Sequence, residues 1–581
     1  MNRRNLILTA IACLLLSGNN VAQACTNFLV TKGATKTGST FITYAADSHQ
    51  LYGALYYRQA ATYPEGTMMD IYEWDTGKKL GKIKQALSTY SVVGNMNEHQ
   101  VSIGETTFGG IHDLVDTTAI MDYGSLMYIA LQRAKSAREA IKVIGELVSE
   151  YGYYSSGESF SIADGEEVWI MEIVGKGKKI LDKNGNPDPK KNTKGAVWVA
   201  MRIPDGYICG HANHARITSF PKEDGKKSIS FKNVSKIFMP TVEVIYAEDV
   251  ISYARGIGLF TGKDEEFSFS DIYAPIDFSA ARYCESRVWS GFRKANPAEM
   301  AKYENYARGE NLKNRMPLWI KPDRLLSVAD VMDMMRDHFQ GTSMDMTKDR
   351  GAGPFICPYR WRPMRWEYEG TQYLHERAIS TQQTGFSFVA EGRSKYPAPV
   401  GGILWFGVDD TYSTCYVPIF CGITRIPNCI KEGNGDMMTY SSTSAFWLFN
   451  RVSNFAYSRY KDIIVDIQKV QKELESNFIA QVAEQSEKFA AEYNQSKERG
   501  IAAVNNYSNK AANDMFNRWR QLDEYLLVKY MDGNIKKEKD GKFMNNGNST
   551  TIPEPPDHPK YPDWYYKMII DDIGDKIKIV E

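Results

Sequence analysis

An α+β protein with antiparallel sheets and an added C-terminal helical region is the fold class this sequence predicts. Two observations carry that expectation. Strand-like runs, helical runs and strand-like runs follow one another within roughly the first 215 residues, an order that fits layered antiparallel sheets better than a doubly wound parallel sheet. From Ser444 to about Met531 the pattern is then almost wholly helical.

Residues 1–24 have the parts of a secretory signal. Arg3 and Arg4 supply the positive start, Leu6 to Ser17 is an apolar run too short to span a bilayer, and Ala22-Gln23-Ala24 fits a small-x-small cleavage site. Cleavage after Ala24 would make Cys25 the first residue of an exported protein, periplasmic or extracellular. The run Thr40-Phe41-Ile42-Thr43-Tyr44 alternates polar and apolar residues, as a half-buried strand does. Asp75-Thr76-Gly77 marks a turn, and Val101-Ser102-Ile103 is a further alternating piece. Leu126, Ile129, Ala130 and Ala134 switch to helical period, and Ser136-x-x-Glu139 reads as a capping box that opens a second helix. Asp164-Gly165 divides two β-rich runs as a hairpin would. Ala196–Met201 and Tyr207–Gly210 read as another pair around Pro204-Asp205-Gly206. Ser327-x-x-Asp330 opens a short helix that Gly341 can close. Residues 386–390 and 403–406 read as strands, with Asp409-Asp410 turning the second into the run around Tyr416. The final helical stretch reads as two long amphipathic helices broken near Gly500, which could join two copies into a homo-oligomer or cover the core. Asn545 to Tyr565 reads as a wrapping tail.

The chain holds 70 basic and 70 acidic residues, and loss of Arg3 and Arg4 with the signal leaves a net charge of −2. That balance points away from nucleic acid and anionic membranes as partners. After the signal there is no apolar run near 18 residues, so no membrane span is expected. Seven cysteines remain without Cys13. The odd count flags a free thiol; the other six could pair, although their spacings match no disulfide scaffold and no zinc knuckle.

Cys25 is the chemical focus. A free α-amine titrates near 7.7–8.0 and a thiol near 8.5, so an N-terminal cysteine carries its own nucleophile and its own base. Two plainer readings stand beside this. A lipoprotein anchor would acylate both groups, but Ala22 stands where lipoprotein signals usually carry Leu or Val. An ordinary buried cysteine is the other.

CTNFLV after the signal, then TYAADS, NMNEHQVSIGETT, VWIMEI, HANHARI, SRVW and, further on, RAISTQQTGFSFVAEGR resemble the C69 dipeptidases. These are N-terminal-nucleophile (Ntn) hydrolases related to penicillin V acylase and bile salt hydrolase. The resemblance covers roughly residues 25 to 460. It implies an αββα sandwich of two antiparallel sheets between helix layers, with 25–440 as the catalytic domain, 441–535 as a helical addition and 536–581 as a tail. It also implies a cysteine-type dipeptidase that acts on small peptides through an acyl-enzyme on Cys25 and needs no cofactor and no metal. An amidase of acylated amines and a lipidated binding protein are the alternatives.

Site residues follow from the same resemblance. Asp47 would orient the amine, although this chain has Tyr44 where the acylase branch carries an arginine three residues earlier. Asn213 would donate to the oxyanion. Thr107 stands where the acylases have an asparagine and would offer its backbone N–H, while Glu105 and Thr106 would neighbour the substrate amine. Arg287 would favour the thiolate and hold a carboxylate. His211 and His214 sit at a strand end without a HExxH companion, so metal ligation is not expected. Asp345, Asp349, Asp409 and Asp410 read as structural.

Overall fold

A computed structural model describes residues 25–544 and 554–580; the expected signal segment and part of the expected tail lie outside the described residues. Two large sheets organise it. The first runs, edge to edge, Trp319–Ile320, Ile208–His211, Asn27–Val30, Thr40–Asp47, Thr384–Gly392, Ile403–Val408 and Val417–Phe420, all antiparallel. The second is centred on Ser102–Phe108, Gly157–Ala163, Val168–Gly175 and Ala196–Arg202, again antiparallel, with short strands at both edges. One edge pair, Ser228–Ser230 with Val244–Tyr246, is parallel.

Side-chain alternation explains the stacking. Val168, Ile170 and Val174 join the apolar cluster shared with the first sheet, whereas Trp169, Met171 and Ile173 join a second cluster under helices Tyr123–Arg133 and Ala137–Tyr151. Thr40–Asp47 lies against Ser102–Phe108 and Gly157–Ala163 of the other sheet. It is buried along its whole length, not half-buried as its alternation suggested, because strands flank both of its edges and the second sheet packs on it. Its polar positions are satisfied internally: Thr43 Oγ1 accepts from Phe28 N at 2.8 Å. Helix Ser286–Ala295 packs on Ile208–His211 on the far side of the first sheet.

Several boundaries differ from the sequence reading. Pro204-Asp205-Gly206 does not turn a hairpin; it carries the chain from the second sheet to the first, so the strands on either side have different neighbours. Ser136 Oγ does cap Glu139 N at 3.2 Å, but Glu139 reaches back to Lys135 N instead of Ser136. The helix opened by Ser327 stops at Met334, before Gly341, and Asp337 then turns inward to accept from Ser290 Oγ and Phe339 N.

The C-terminal region is three helices, Ala445–Ser458, Tyr460–Gln495 and Lys497–Tyr530. The break between the long pair falls at Ser496, whose backbone is extended and whose hydroxyl accepts from Arg499 N at 3.3 Å. Gly500 instead lies inside the next helix, where an added Cβ would come 2.4 Å from that of Tyr493; the glycine permits the two helices to approach. Asn505 and Ser508 on this helix accept backbone N–H groups of Thr424, Arg425 and Phe420. The helix therefore covers the Val417–Phe420 edge of the first sheet. Helix Asp563–Ile573 forms inside the segment read as a wrapping tail. No described helix is long and apolar enough to cross a membrane. All seven cysteines among the described residues are free thiols, so the pairing considered for the other six is absent there.

Candidate active site

Cys25 immediately precedes the Asn27–Val30 strand, at the centre of the first sheet and against the second. Its Sγ lies 3.8 Å from the Tyr44 hydroxyl and 3.7 Å from Glu105 Oε1, and Tyr44 donates to that same oxygen at 2.5 Å. Burial pushes the thiol well above its ordinary pKa. The Glu105 and Asp47 carboxylates push it the same way, against weaker pulls from the Asp47 backbone N–H and the Tyr44 hydroxyl. The resting sulfur is therefore a thiol.

Glu105 has a second carboxyl beside it. Glu158 faces it across the Ser102–Phe108 and Gly157–Ala163 pairing, and Glu105 Oε2 and Glu158 Oε1 have no hydrogen-bond donor. Two buried carboxyls in contact hold one proton between them. Burial raises both carboxyls; Glu158, pushed further by the Glu105 charge, goes well up, whereas hydrogen bonds from Glu158, Tyr44 and Cys25 oppose the rise of Glu105, so the shared proton favours Glu158. Thr107 Oγ1 donates to Glu158 Oε2 at 3.0 Å.

Arg287 fixes the other side of Cys25. Its Nη1 donates to the Cys25 carbonyl at 2.6 Å and to Thr26 Oγ1 at 2.8 Å, its Nη2 to Ala212 O at 3.1 Å and Asn213 Oδ1 at 2.8 Å, and its Nε to Tyr283 O at 2.8 Å. All five donors of the guanidinium are engaged. The carboxylate-holding part expected of Arg287 thus has no free donor; the residue positions Cys25 and Asn213 instead. Burial lowers its pKa to about 10, so it stays charged at neutral pH.

Asn213 adopts a left-handed backbone, φ 57°, which asparagine tolerates better than most residues. With Oδ1 held by Arg287, its Nδ2 donates to the Thr107 carbonyl at 2.7 Å. Thr107 therefore meets the site through its carbonyl and its hydroxyl. Asp47 sits at an irregularity in the Thr40–Asp47 strand and is fully buried. Arg377 Nη2 donates to Oδ2 at 2.5 Å and Thr384 Oγ1 to Oδ1 at 2.6 Å. Burial raises the Asp47 pKa, and Arg377 is the main opposing charge.

The structure thus brings Cys25, Asp47, Glu105, Asn213 and Arg287 into one connected cluster. Tyr44, Glu158, Arg377 and Thr384 belong to it and were not read as site residues. Arg377 and Thr384 bracket the RAISTQQT part of a string already noted, and Tyr44 was noted as the departure from an arginine. His211 is bonded on both ring nitrogens, to Thr106 Oγ1 and Ser161 Oγ at 2.7 Å each, and burial drops its pKa to about 3. A neutral ring engaged at both nitrogens supports the wall of the site.

Comparison with known proteins follows the same chain span. The model of peptidase family C69 matches residues 24–473. A protein named probable dipeptidase from Latilactobacillus sakei is 25% identical over 484 residues, covering 78% of this chain and 85% of its own length. Another probable dipeptidase, from Salmonella dublin, is 23% identical over 70% of this chain and 83% of its own. The probable dipeptidase B of Streptococcus pyogenes serotype M1 is 21% identical over 80% and 84% respectively.

Proposed function

Because the chain belongs to peptidase family C69, a family of peptide-bond hydrolases, we propose that it is an exported cysteine dipeptidase of the N-terminal-nucleophile type. In this reading the two stacked sheets and their outer helices are the Ntn αββα sandwich. Signal cleavage after Ala24 frees the amine of Cys25.

The amine takes the thiol proton as Sγ attacks the carbonyl carbon of a dipeptide. The resulting oxyanion is met by the Asn213 side-chain amide, oriented by Arg287. Collapse breaks the C–N bond; the ammonium of Cys25 returns the proton to the leaving amino acid and leaves a thioester on Sγ. Water, deprotonated by the same amine, then attacks the thioester, and the first amino acid departs with the thiol restored. Asp47, held by Arg377 and Thr384, stabilises the ammonium that forms in each step.

The observation that carries the dipeptide reading is the Glu105 carboxyl oxygen 3.7 Å from Sγ. The α-ammonium of a dipeptide is one carbon away from the carbonyl under attack, so it falls beside that carboxylate. An acyl amide would place an apolar chain there, against buried carboxyls. The dipeptidase names of the relatives point the same way.

The test compares enzyme beginning at Cys25 with enzyme carrying one extra residue before it, after intact-mass confirmation of a free, unlipidated N-terminus. Loss of the free amine is expected to reduce dipeptide turnover by about 10²–10⁴-fold. Cys25→Ala is expected to abolish turnover. Equal activity with the extra residue would refute the amine as base, and a lipidated Cys25 in the natural protein would leave the binding-protein reading.

A further inference from the structure

If Arg287 cannot hold the substrate's carboxylate, some other cation must do so or the site ignores that end of the peptide. Three guanidiniums gather on the Asp47 side of Cys25: Arg287, Arg377 and Arg362. Arg287 is engaged at every donor, and Arg377 is paired with Asp47. Arg362 differs. It is only partly exposed, and burial lowers its pKa; it lies within electrostatic reach of Arg377, Tyr283 and Asp47, and its Nη2 donates to Gln383 Oε1. Gln383 in turn donates from Nε2 to the Asp47 carbonyl at 3.2 Å, so Arg362 is tied to the catalytic cluster through one side chain. Among the described residues Arg362 forms no ion pair; its side-chain partner is a neutral amide.

Counted as charges, this side of Cys25 holds three guanidiniums against the Asp47 carboxylate. The opposite side holds the Glu105–Glu158 pair, with Asp75 near enough to act on both. A nucleophile between a net positive wall and a net negative wall suits a zwitterion whose two ends lie on either side of the bond being cut. A dipeptide is such a molecule: its ammonium is one carbon from the carbonyl, and its carboxylate is one carbon beyond the amide nitrogen.

We propose that Arg362 binds the C-terminal carboxylate of the substrate and thereby restricts the enzyme to peptides that end one residue beyond the scissile bond. The inference rests on the dipeptidase reading and adds the residue that sets substrate length. An arginine fork on a carboxylate is a charge-assisted, bidentate contact. Its Gln383 bond leaves further N–H groups to make it. Because Arg362 touches the leaving residue and not the acyl group, its contribution falls mainly in KM.

The test measures kcat and KM for a neutral dipeptide, its C-terminal amide and the tripeptide one residue longer, with wild type, Arg362→Gln and Arg362→Lys. Wild type is expected to prefer the free acid over the amide by about 10- to 100-fold in kcat/KM, and to reject the tripeptide similarly. Arg362→Gln should lose that preference by falling on the acid while the amide stays within about twofold; Arg362→Lys, which keeps the charge without the fork, should lie between. The partly exposed position predicts an unchanged Tm, and a lowered Tm in the Gln variant would pass the decision to the Lys variant and to the wild-type acid-to-amide ratio. Equal losses on acid and amide, or a wild type indifferent to amidation, would overturn the proposal and leave the dipeptidase reading intact. A wild type that cleaves no dipeptide would overturn both.

Discussion

Glu105→Gln separates two roles that the geometry gives one carboxylate. The substitution keeps the shape and the Tyr44 contact but removes a negative charge 3.7 Å from Sγ. Removing a carboxylate charge from beside the sulfur removes one of the causes that raise the thiol pKa, so the thiol pKa of the variant should fall. The sign is fixed by the structure: Glu105 raises the thiol pKa, so its removal frees thiolate at lower pH. Alkylation of Cys25 by iodoacetamide, followed by intact mass across pH 6–10, reads this directly, and the variant should react faster near pH 7. Dipeptide turnover should move in the opposite direction. Losing the charge-assisted contact to the substrate ammonium costs about 1.5–3 kcal/mol, or about 10- to 100-fold in kcat/KM. An N-acetylated dipeptide, which has no ammonium, should be a poor substrate for wild type and no worse for the variant. A variant with unchanged alkylation, or one that loses alkylation and turnover together, would refute the reasoning.

Arg377→Met should lower stability by about 3–5 kcal/mol, because it strands the buried Asp47 carboxylate that Arg377 now pairs, and urea unfolding measures it. His211 is neutral in the fold with a pKa of about 3 against 6.5 when exposed, so the unfolded chain binds the extra proton between those values. Stability from this group is present above about pH 6.5 and is lost as pH falls toward 3, by up to about 4–5 kcal/mol; His211→Gln should flatten the acid limb of a Tm–pH profile.

Much of the candidate site could be named from the sequence because its members sit in short strings with local meaning. Cys25 follows a signal-like leader, Asp47 closes a strand, and Asn213 lies two residues beyond the end of one. What stayed hidden is pairing across long sequence distance. Arg377 reaches Asp47 over 330 positions and Thr384 over 337, and one sequence holds no record of such a contact. Tyr44 was visible only as a missing arginine; that its hydroxyl would share an oxygen of Glu105 with Cys25 depends on how two sheets stack. The same limit explains the turn at Pro204–Gly206. A turn signal says that the chain reverses, not whether the next strand joins the same sheet. At Gly500, a residue that ordinarily breaks a helix was retained for close packing while Ser496 made the break.

Under the proposed mechanism, in which the base is covalently attached to the nucleophile, the charges around Cys25 make sense together. An enzyme that relies on a standing thiolate surrounds its cysteine with cations. Here a carboxyl, Glu105, lies 3.7 Å from the sulfur, and the Arg287 and Arg377 cations are turned toward the Cys25 carbonyl, Asn213 and Asp47. The resting thiol is held protonated, which also protects the cysteine from oxidation, since the thiolate is the reactive form. Arrival of a substrate ammonium at Glu105 neutralises the charge that opposed ionisation, and the amine can then accept the proton at a pH near its own pKa. A substrate without that ammonium leaves the sulfur protonated even when it is bound. Selectivity for a free amino terminus and activation of the nucleophile are, on this layout, one electrostatic event at a single carboxylate.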